Sequence, residues 1–286
     1  MKRLRVRIAI LLLSIALAYG ADTGSQSVRR FDKVMIIILE NANYRDALAQ
    51  PFLSNLAKRG ALLSEFYAEA RPSLPNYIAL TAGTTAGLTS NAPVSLDLHH
   101  IGDLLEGKGK TWKVYAEAYP GHCFLGERSG TYVRKHVPFL SFENVQKDPS
   151  RCAHIVEASV LASDIATGNL PDYSLYIPDE KNDGHDTGPA FADRWLAQAF
   201  GPLLNNQAFM KGLLLVVTFD EAGNDDPTNH VFTVLVGESV LSGSVSKTPY
   251  THHSLLRTIE DGLSLGTLGK KDASAFSIVG VWRRPS

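Results

Sequence analysis

Residues 34–39 read VMIIIL, a short and almost continuous run of β-branched and apolar side chains. A strand that is apolar at every position has both faces buried, the situation of a parallel sheet covered by helices on either side. Trp112–Ala116, Tyr173–Ile177, Leu213–Phe219 and Val231–Val236 read the same way. Amphipathic stretches lie between them, most clearly Pro51–Lys58, Gly188–Asn205 and Ser254–Leu263. This alternation predicts an α/β fold with a mostly parallel central sheet. The chain has 286 residues, 44% apolar and 20% charged, which suits one large core and excludes a disordered or collagen-like chain. No internal repeat or low-complexity linker divides it, and residues 120–150, rich in Gly, Pro and single charges, read as an excursion from the core.

The N-terminus reads as an address. Lys2, Arg3, Arg5 and Arg7 precede an apolar run, Ile8–Ala18, interrupted only by Ser14, and Ala18-Tyr19-Gly20 offers small residues for cleavage. This pattern predicts a signal peptide over residues 1–20 and a single domain over 21–286, secreted or periplasmic. The competing reading is a membrane anchor, but such a run spans only about 16 Å as a helix, about half a bilayer core. No stable membrane insertion is therefore expected after cleavage. Lys+Arg number 28 and Asp+Glu 29, for a net charge of −1, and loss of the four basic residues takes this to −5. No basic excess exists to drive nucleic-acid binding. Two cysteines, Cys123 and Cys152, exclude a disulfide-dense scaffold and a Cys-rich zinc fold. In an exported chain they can form a bridge closing a loop of about 30 residues, worth roughly 3 kcal/mol. Two buried thiols are the alternative.

Three of the apolar runs end in ligand-type residues. VMIIIL leads into Glu40-Asn41, YSLYI into Pro178-Asp179 and then Asn182-Asp183-Gly184-His185-Asp186, and LLLVVTF into Asp220-Glu221. One acidic strand end is an ordinary solvated turn. Three point to one sheet edge, where ligands bind beyond the carboxyl ends of parallel strands. Carboxylates gathered there repel one another unless a cation neutralises them, and an oxygen-rich set suits one divalent ion of the Ca, Mg or Mn type. Ser73, in Arg71-Pro72-Ser73-Leu74-Pro75-Asn76-Tyr77, precedes a helix-like run. It reads either as a helix N-cap or as a hydroxyl at the positive end of a helix, where a phosphate is favoured. Asn76 falls on the same side of the first turn and could donate to a phosphoryl oxygen.

Glu40-Asn41, Pro72-Ser73-Leu74-Pro75-Asn76-Tyr77, Tyr132-Val133-Arg134-Lys135-His136-Val137-Pro138-Phe139, Asn182-Asp183-Gly184-His185-Asp186 and Phe219-Asp220-Glu221 resemble, in this order, the motifs of the phosphoesterase family of secreted acid phosphatases and bacterial phospholipases C. That family belongs to the alkaline phosphatase superfamily, so the resemblance implies a three-layer sandwich around the central sheet. It implies that Ser73 is a nucleophile that becomes transiently phosphorylated, and that Glu40, Asn41, Asp220 and Glu221 hold the metal. It implies further that Asn76, Lys135, His136 and His252 contact the substrate, and that His185 is the general acid. His252 could equally stand there only because Thr251 caps the following helix. Cys123 and Cys152 would bracket the Lys135-His136 loop and hold it over the site. One departure matters. Two-metal members of the superfamily have an Asp-His pair where this chain has Asp220-Glu221, and an Asp four residues before a His. Here Asp179 precedes His185 by six residues and Asp183 by two, which implies one metal ion. His99, His100, His122, His154 and His230 read as structural or surface residues.

The expected activity is metal-dependent hydrolysis of a small-molecule or lipid phosphoester, first a monoester and alternatively a diester of phospholipase C type. A secreted phosphate-binding protein without turnover is the reading from another class. A Ser-His-Asp esterase is disfavoured because no G-x-S-x-G elbow surrounds Ser73.

Overall fold

The computed structural model describes residues 30–284. The expected signal peptide lies outside the described residues, and among the latter no helix is long and apolar enough to cross a membrane.

An eight-stranded sheet forms the centre. From one edge to the other its strands are Ser244–Ser246, Ala61–Leu63, Thr233–Gly237, Leu213–Phe219, Lys33–Leu39, Tyr173–Ile177, Trp112–Ala116 and Ile155–Glu157. All neighbours are parallel except the two pairs made by Thr233–Gly237, which runs against both Leu213–Phe219 and Ala61–Leu63. The strand expected over Val231–Val236 thus begins two residues later and runs antiparallel. A turn-rich segment after Asp220-Glu221, with no helix in it to cross the sheet, reverses the chain instead.

The central strands are buried at nearly every position, all seven residues in the case of Leu213–Phe219. Since successive side chains point to opposite faces, both faces are covered. One cover contains the helices Ser73–Ala82 and His252–Leu263, packed on each other, with the 3₁₀ turns Arg134–His136 and Pro138–Ser141 against the first. The other contains Tyr44–Leu48, Pro51–Arg59 and Pro189–Phe200. This is the α/β three-layer arrangement expected from the sequence. The helix expected over Gly188–Asn205 stops at Phe200 and resumes as a 3₁₀ turn at Leu203–Asn205. Pro202 explains the break, because it has no backbone N–H to continue the helical hydrogen-bond ladder. Cys123 and Cys152 are disulfide-bonded, with Cα atoms 5.6 Å apart.

Candidate active site

Register alone brings the first two carboxylates together. Leu39 pairs with Phe219 at the ends of their parallel strands, so Glu40 and Asp220 leave the sheet side by side. The Asp220 N–H donates to the Leu39 carbonyl (3.1 Å) and the Asn41 N–H to Asp220 Oδ1 (3.5 Å). Asn41 adopts a left-handed backbone (φ 42°), which Asn tolerates better than most residues. The third acidic strand end joins through the backbone, where the Glu40 N–H donates to the Asp183 carbonyl (2.9 Å).

Ser73 is the first residue of its helix, not the cap, which is Pro72. Its hydroxyl is drawn to carboxylates instead of to the helix backbone. Oγ donates to Glu40 Oε2 at 3.1 Å and lies 3.4 Å from Glu221 Oε1. One turn on, the Tyr77 hydroxyl donates to Glu40 Oε1 (2.5 Å). His136 Nε2 is 3.2 Å from Glu40 Oε2, and its Nδ1 is 3.3 Å from Asp183 Oδ2. The His136 ring stacks on Tyr77 (5.2 Å between centroids), and the His185 ring stands 6.5 Å away. Ser73, Glu40, His136 and Asp183 are all buried.

The electrostatics follow from this crowding. Burial alone would raise the Glu40 pKa, but His136, Lys135 and the Tyr77 hydroxyl override it and hold the carboxyl down at about 2. Burial would lower the His136 pKa, but Glu40 and Asp183 raise it to about 9. Burial, then the neighbouring Glu40, pushes Glu221 up to about 7 and Asp220 well above the usual carboxylate range. At these two carboxyls, burial and the neighbouring Glu40 outweigh the positive charge nearby. Asn41 Oδ1, Asp220 Oδ2 and Glu221 Oε2 are also buried without a hydrogen-bond partner. Three orphaned oxygen acceptors and a surplus of negative charge at one sheet edge fit a hard divalent cation. A different trio, Glu180, His185 and Asp186, has its donor atoms within 4.8 Å of one another. Glu180 there already carries Arg128 on both oxygens, and His185 and Asp186 are exposed.

Two expected substrate contacts are turned elsewhere. Asn76 Oδ1 accepts the N–H groups of Glu69 and Ala70 (3.0 and 2.9 Å), and its Nδ2 donates to the carbonyls of Ala70 and Pro72 (2.9 and 3.5 Å). Its amide shapes the loop that delivers Ser73, whose backbone groups have no strand or helix to pair with. His252 is buried and its Nε2 contacts the Phe219 carbonyl (3.1 Å). Burial, against the pull of Glu69, lowers its pKa to about 4, so it stands neutral behind the strand end that presents Asp220. Thr251 forms a capping box with Ser254. Lys135 is half-buried and close enough to Glu40 and Glu221 to lower both pKa values. His185 Nδ1 contacts Asp186 Oδ1 (2.9 Å).

Sequence reasoning passed over three residues. Tyr77 was findable, because it follows Ser73 by four positions and so shares its helix face. Asp183 lay inside a quoted motif with no spacing rule to single it out. Arg71 donates to the carbonyls of Ala222, Gly223 and Asp226 (2.5, 3.0 and 3.0 Å) and lies 3.6 Å from Glu221 Oε2. Nothing in the sequence joins it to a loop about 150 positions away.

A family model described as the phosphoesterase family matches residues 41–266. The chain belongs to the phosphoesterase family. Among relatives of this family member is an acid phosphatase of Aspergillus fumigatus, 34% identical over 257 residues, covering 86% of this chain and 58% of the relative. A probable acid phosphatase of Kluyveromyces lactis is 35% identical over 257 residues (86% and 61%). A phosphatidylinositol-3-phosphatase of Mycobacterium tuberculosis is 34% identical over 257 residues (88% and 83%). The chain spans about three-fifths of the length of the fungal relatives. Among solved structures, a protein in the alkaline phosphatase superfamily from Vibrio parahaemolyticus superposes with a TM-score of 0.58 at 13% identity, covering 85% of this chain and 70% of that one. A phosphonate monoester hydrolase from Silicibacter pomeroyi gives 0.58 at 12% identity (86% and 76%). At such identities the likeness is one of fold, and the fold of this phosphoesterase is that of the superfamily.

Proposed function

We propose that this phosphoesterase is a secreted, metal-dependent phosphomonoesterase of acid-phosphatase type that works through a phosphoserine on Ser73. The observation that carries the reading is the Ser73 hydroxyl, buried at the start of a ten-residue helix and in reach of both Glu40 and Glu221. The names of the fungal relatives support the same activity.

Ser73 Oγ attacks phosphorus in line with the leaving oxygen, and its proton has the Glu40 carboxylate 3.1 Å away. The helix N-terminus and Lys135 offset negative charge on the equatorial oxygens. His136 holds Glu40 in place from the other side, so the carboxylate does not turn as charge develops. His185 gives a proton to the leaving alkoxide, which departs as the alcohol. Water then cleaves phospho-Ser73, releasing phosphate and restoring the hydroxyl. Glu40, Asn41, Asp220 and Glu221 would hold one divalent cation, which supplies charge neutralisation and lowers the pKa of the Ser73 hydroxyl.

The test is hydrolysis of p-nitrophenyl phosphate and of its bis-ester by the purified protein with added divalent metal, with Ser73→Ala in parallel. We expect the monoester to be faster, Ser73→Ala to fall by about 10³-fold or more, and a chelator to abolish turnover until Mg, Mn or Ca is restored. A faster bis-ester would make the protein a phosphodiesterase of phospholipase C type. Ser73→Ala with most of its activity would remove the nucleophile assignment.

A further inference from the structure

A cleft of about 200 Å³ lies beside the proposed phosphoryl site, lined in part by Lys135 and His185. Two connections fix its position relative to Ser73. Asn91 lines it and accepts the N–H of Leu74, the residue after the nucleophile, at 3.0 Å. Lys135, next to His136 in the chain, and His185, whose ring is 6.5 Å from that of His136, line it as well. An alcohol leaving from a phosphoryl group on Ser73, protonated by His185, departs into this cleft.

Its walls are built before any substrate arrives. The hairpin Arg128–Ser129/Tyr132–Val133 forms one of them, with Arg128 and Val133 as cross-strand partners. The hairpin is tied to the loop after Tyr173–Ile177 by the Thr131 hydroxyl on Asp179 Oδ2 (2.6 Å) and by the Glu180 N–H on the Thr131 carbonyl (3.1 Å). Arg128 grips both oxygens of buried Glu180, which fixes the guanidinium while leaving it further donors. At its base the Arg134 guanidinium is bonded to the carbonyls of Leu125, Val94 and Leu140.

The chemistry of the lining narrows the leaving group. Val133 is its one apolar side chain and the His185 imidazole its one ring, so an acyl chain finds little to pack against. Arg128 and Lys135 are balanced by Glu127 and Glu180, so a second anionic group gains little. What remains is a mixture of donors (Asn91, Arg128, Lys135) and acceptors (Glu127, Glu180). A hydroxyl both donates and accepts, and several hydroxyls satisfy such a lining best. At ~30 Å³ per water the cleft has the volume of about seven waters, and it falls below the range of about 300–1,000 Å³ usual for drug-sized ligands. We propose that this is the leaving-group subsite and that it selects phosphomonoesters of small uncharged polyols, of triose to hexose size. The inference rests on the phosphatase reading above.

The experiment measures kcat/KM for glucose 6-phosphate, glycerol 3-phosphate, hexyl phosphate and p-nitrophenyl phosphate, with Glu127→Ala in parallel. Glu127 is exposed, so its truncation leaves the fold in place. We expect the hydroxylated monoesters to exceed hexyl phosphate by tenfold or more, and the ratio to fall about fivefold in Glu127→Ala. Turnover of p-nitrophenyl phosphate with hexyl phosphate equal or better, or a ratio unchanged in the variant, overturns the subsite and leaves the phosphatase intact. No turnover of p-nitrophenyl phosphate or any other monoester overturns both.

Discussion

Tyr77 shows how much one side chain contributes beside the nucleophile. Its hydroxyl takes one oxygen of Glu40 and its ring supports His136. Tyr77→Phe keeps the ring and leaves a fully buried carboxylate one donor short, a loss of about 1.5–3 kcal/mol for a hydrogen bond to a charged group. We expect thermal unfolding to show that loss, with kcat lowered and KM little changed. Asp183 is the other case. It contacts His136 through Oδ2, accepts the His185 N–H through Oδ1 (2.8 Å) and receives the Glu40 N–H on its carbonyl. Asp183→Asn keeps the shape and removes the charge that orients His136. By analogy with the outer partners of metal-site ligands, activity should fall about 10–100-fold. A variant within twofold of the parent would show that His136 is held well enough by Glu40 and Tyr77 alone.

At the scale of elements, the site depends on two segments that lie outside the central sheet and its covering helices. The segment 222–226, just after the Asp220-Glu221 strand end, is held by Arg71 through three backbone carbonyls. Arg71→Ala should cost about 2 kcal/mol or more. It should lower metal affinity as well as turnover, because Glu221 then loses its anchored neighbour, and a metal titration followed by activity reads both. The second loop leads from Trp112–Ala116 to His136 and is stapled by the Cys123–Cys152 bridge. Replacing both cysteines by Ala releases a closed loop of about 30 residues, worth roughly 3 kcal/mol. The expected result is a lower unfolding temperature with the monoester preference retained.

The molecule as a whole closes around a second buried carboxyl pair, far along the chain from the site. Glu260, in the helix His252–Leu263, is buried with neither carboxyl oxygen hydrogen-bonded. Asp272 beside it accepts the N–H groups of Leu268 and Lys270 (2.7 and 2.8 Å) and packs on Gly83. Gly83 ends the Ser73 helix in a left-handed conformation (φ 67°), where a Cβ would come within 2.3 Å of Asp272 Oδ1. Only glycine suits both demands. Burial, then Asp272, and against the pull of Arg257, raises the Glu260 pKa to about 9. Folded protein therefore holds this proton over a range in which the unfolded chain has released it. Stability should fall as pH rises from about 4.5 towards 9. Glu260→Gln should flatten that slope in unfolding temperatures measured between pH 5 and 9, and an unchanged slope would place the Glu260 proton elsewhere.

Much of this was legible in the sequence because it is local or periodic. Continuous apolar runs gave strands with both faces buried, as Leu213–Phe219 is, and the residue after each run was named at the sheet edge because strand ends carry ligands. The family motifs are likewise contiguous. What tertiary structure decided are the pairings between distant residues, where no period or spacing speaks. It joined Leu39 to Phe219 in register and thereby set Glu40 beside Asp220. It turned Asn76 to the backbone of its own loop, because buried peptide groups there needed partners more than a substrate did. It put His252 behind the Phe219 carbonyl, and it reversed Thr233–Gly237 because no helix forms after Leu213–Phe219 to carry the chain across the sheet. Sequence determined which residues reach the edge of the sheet, and packing determined which way each of them faces.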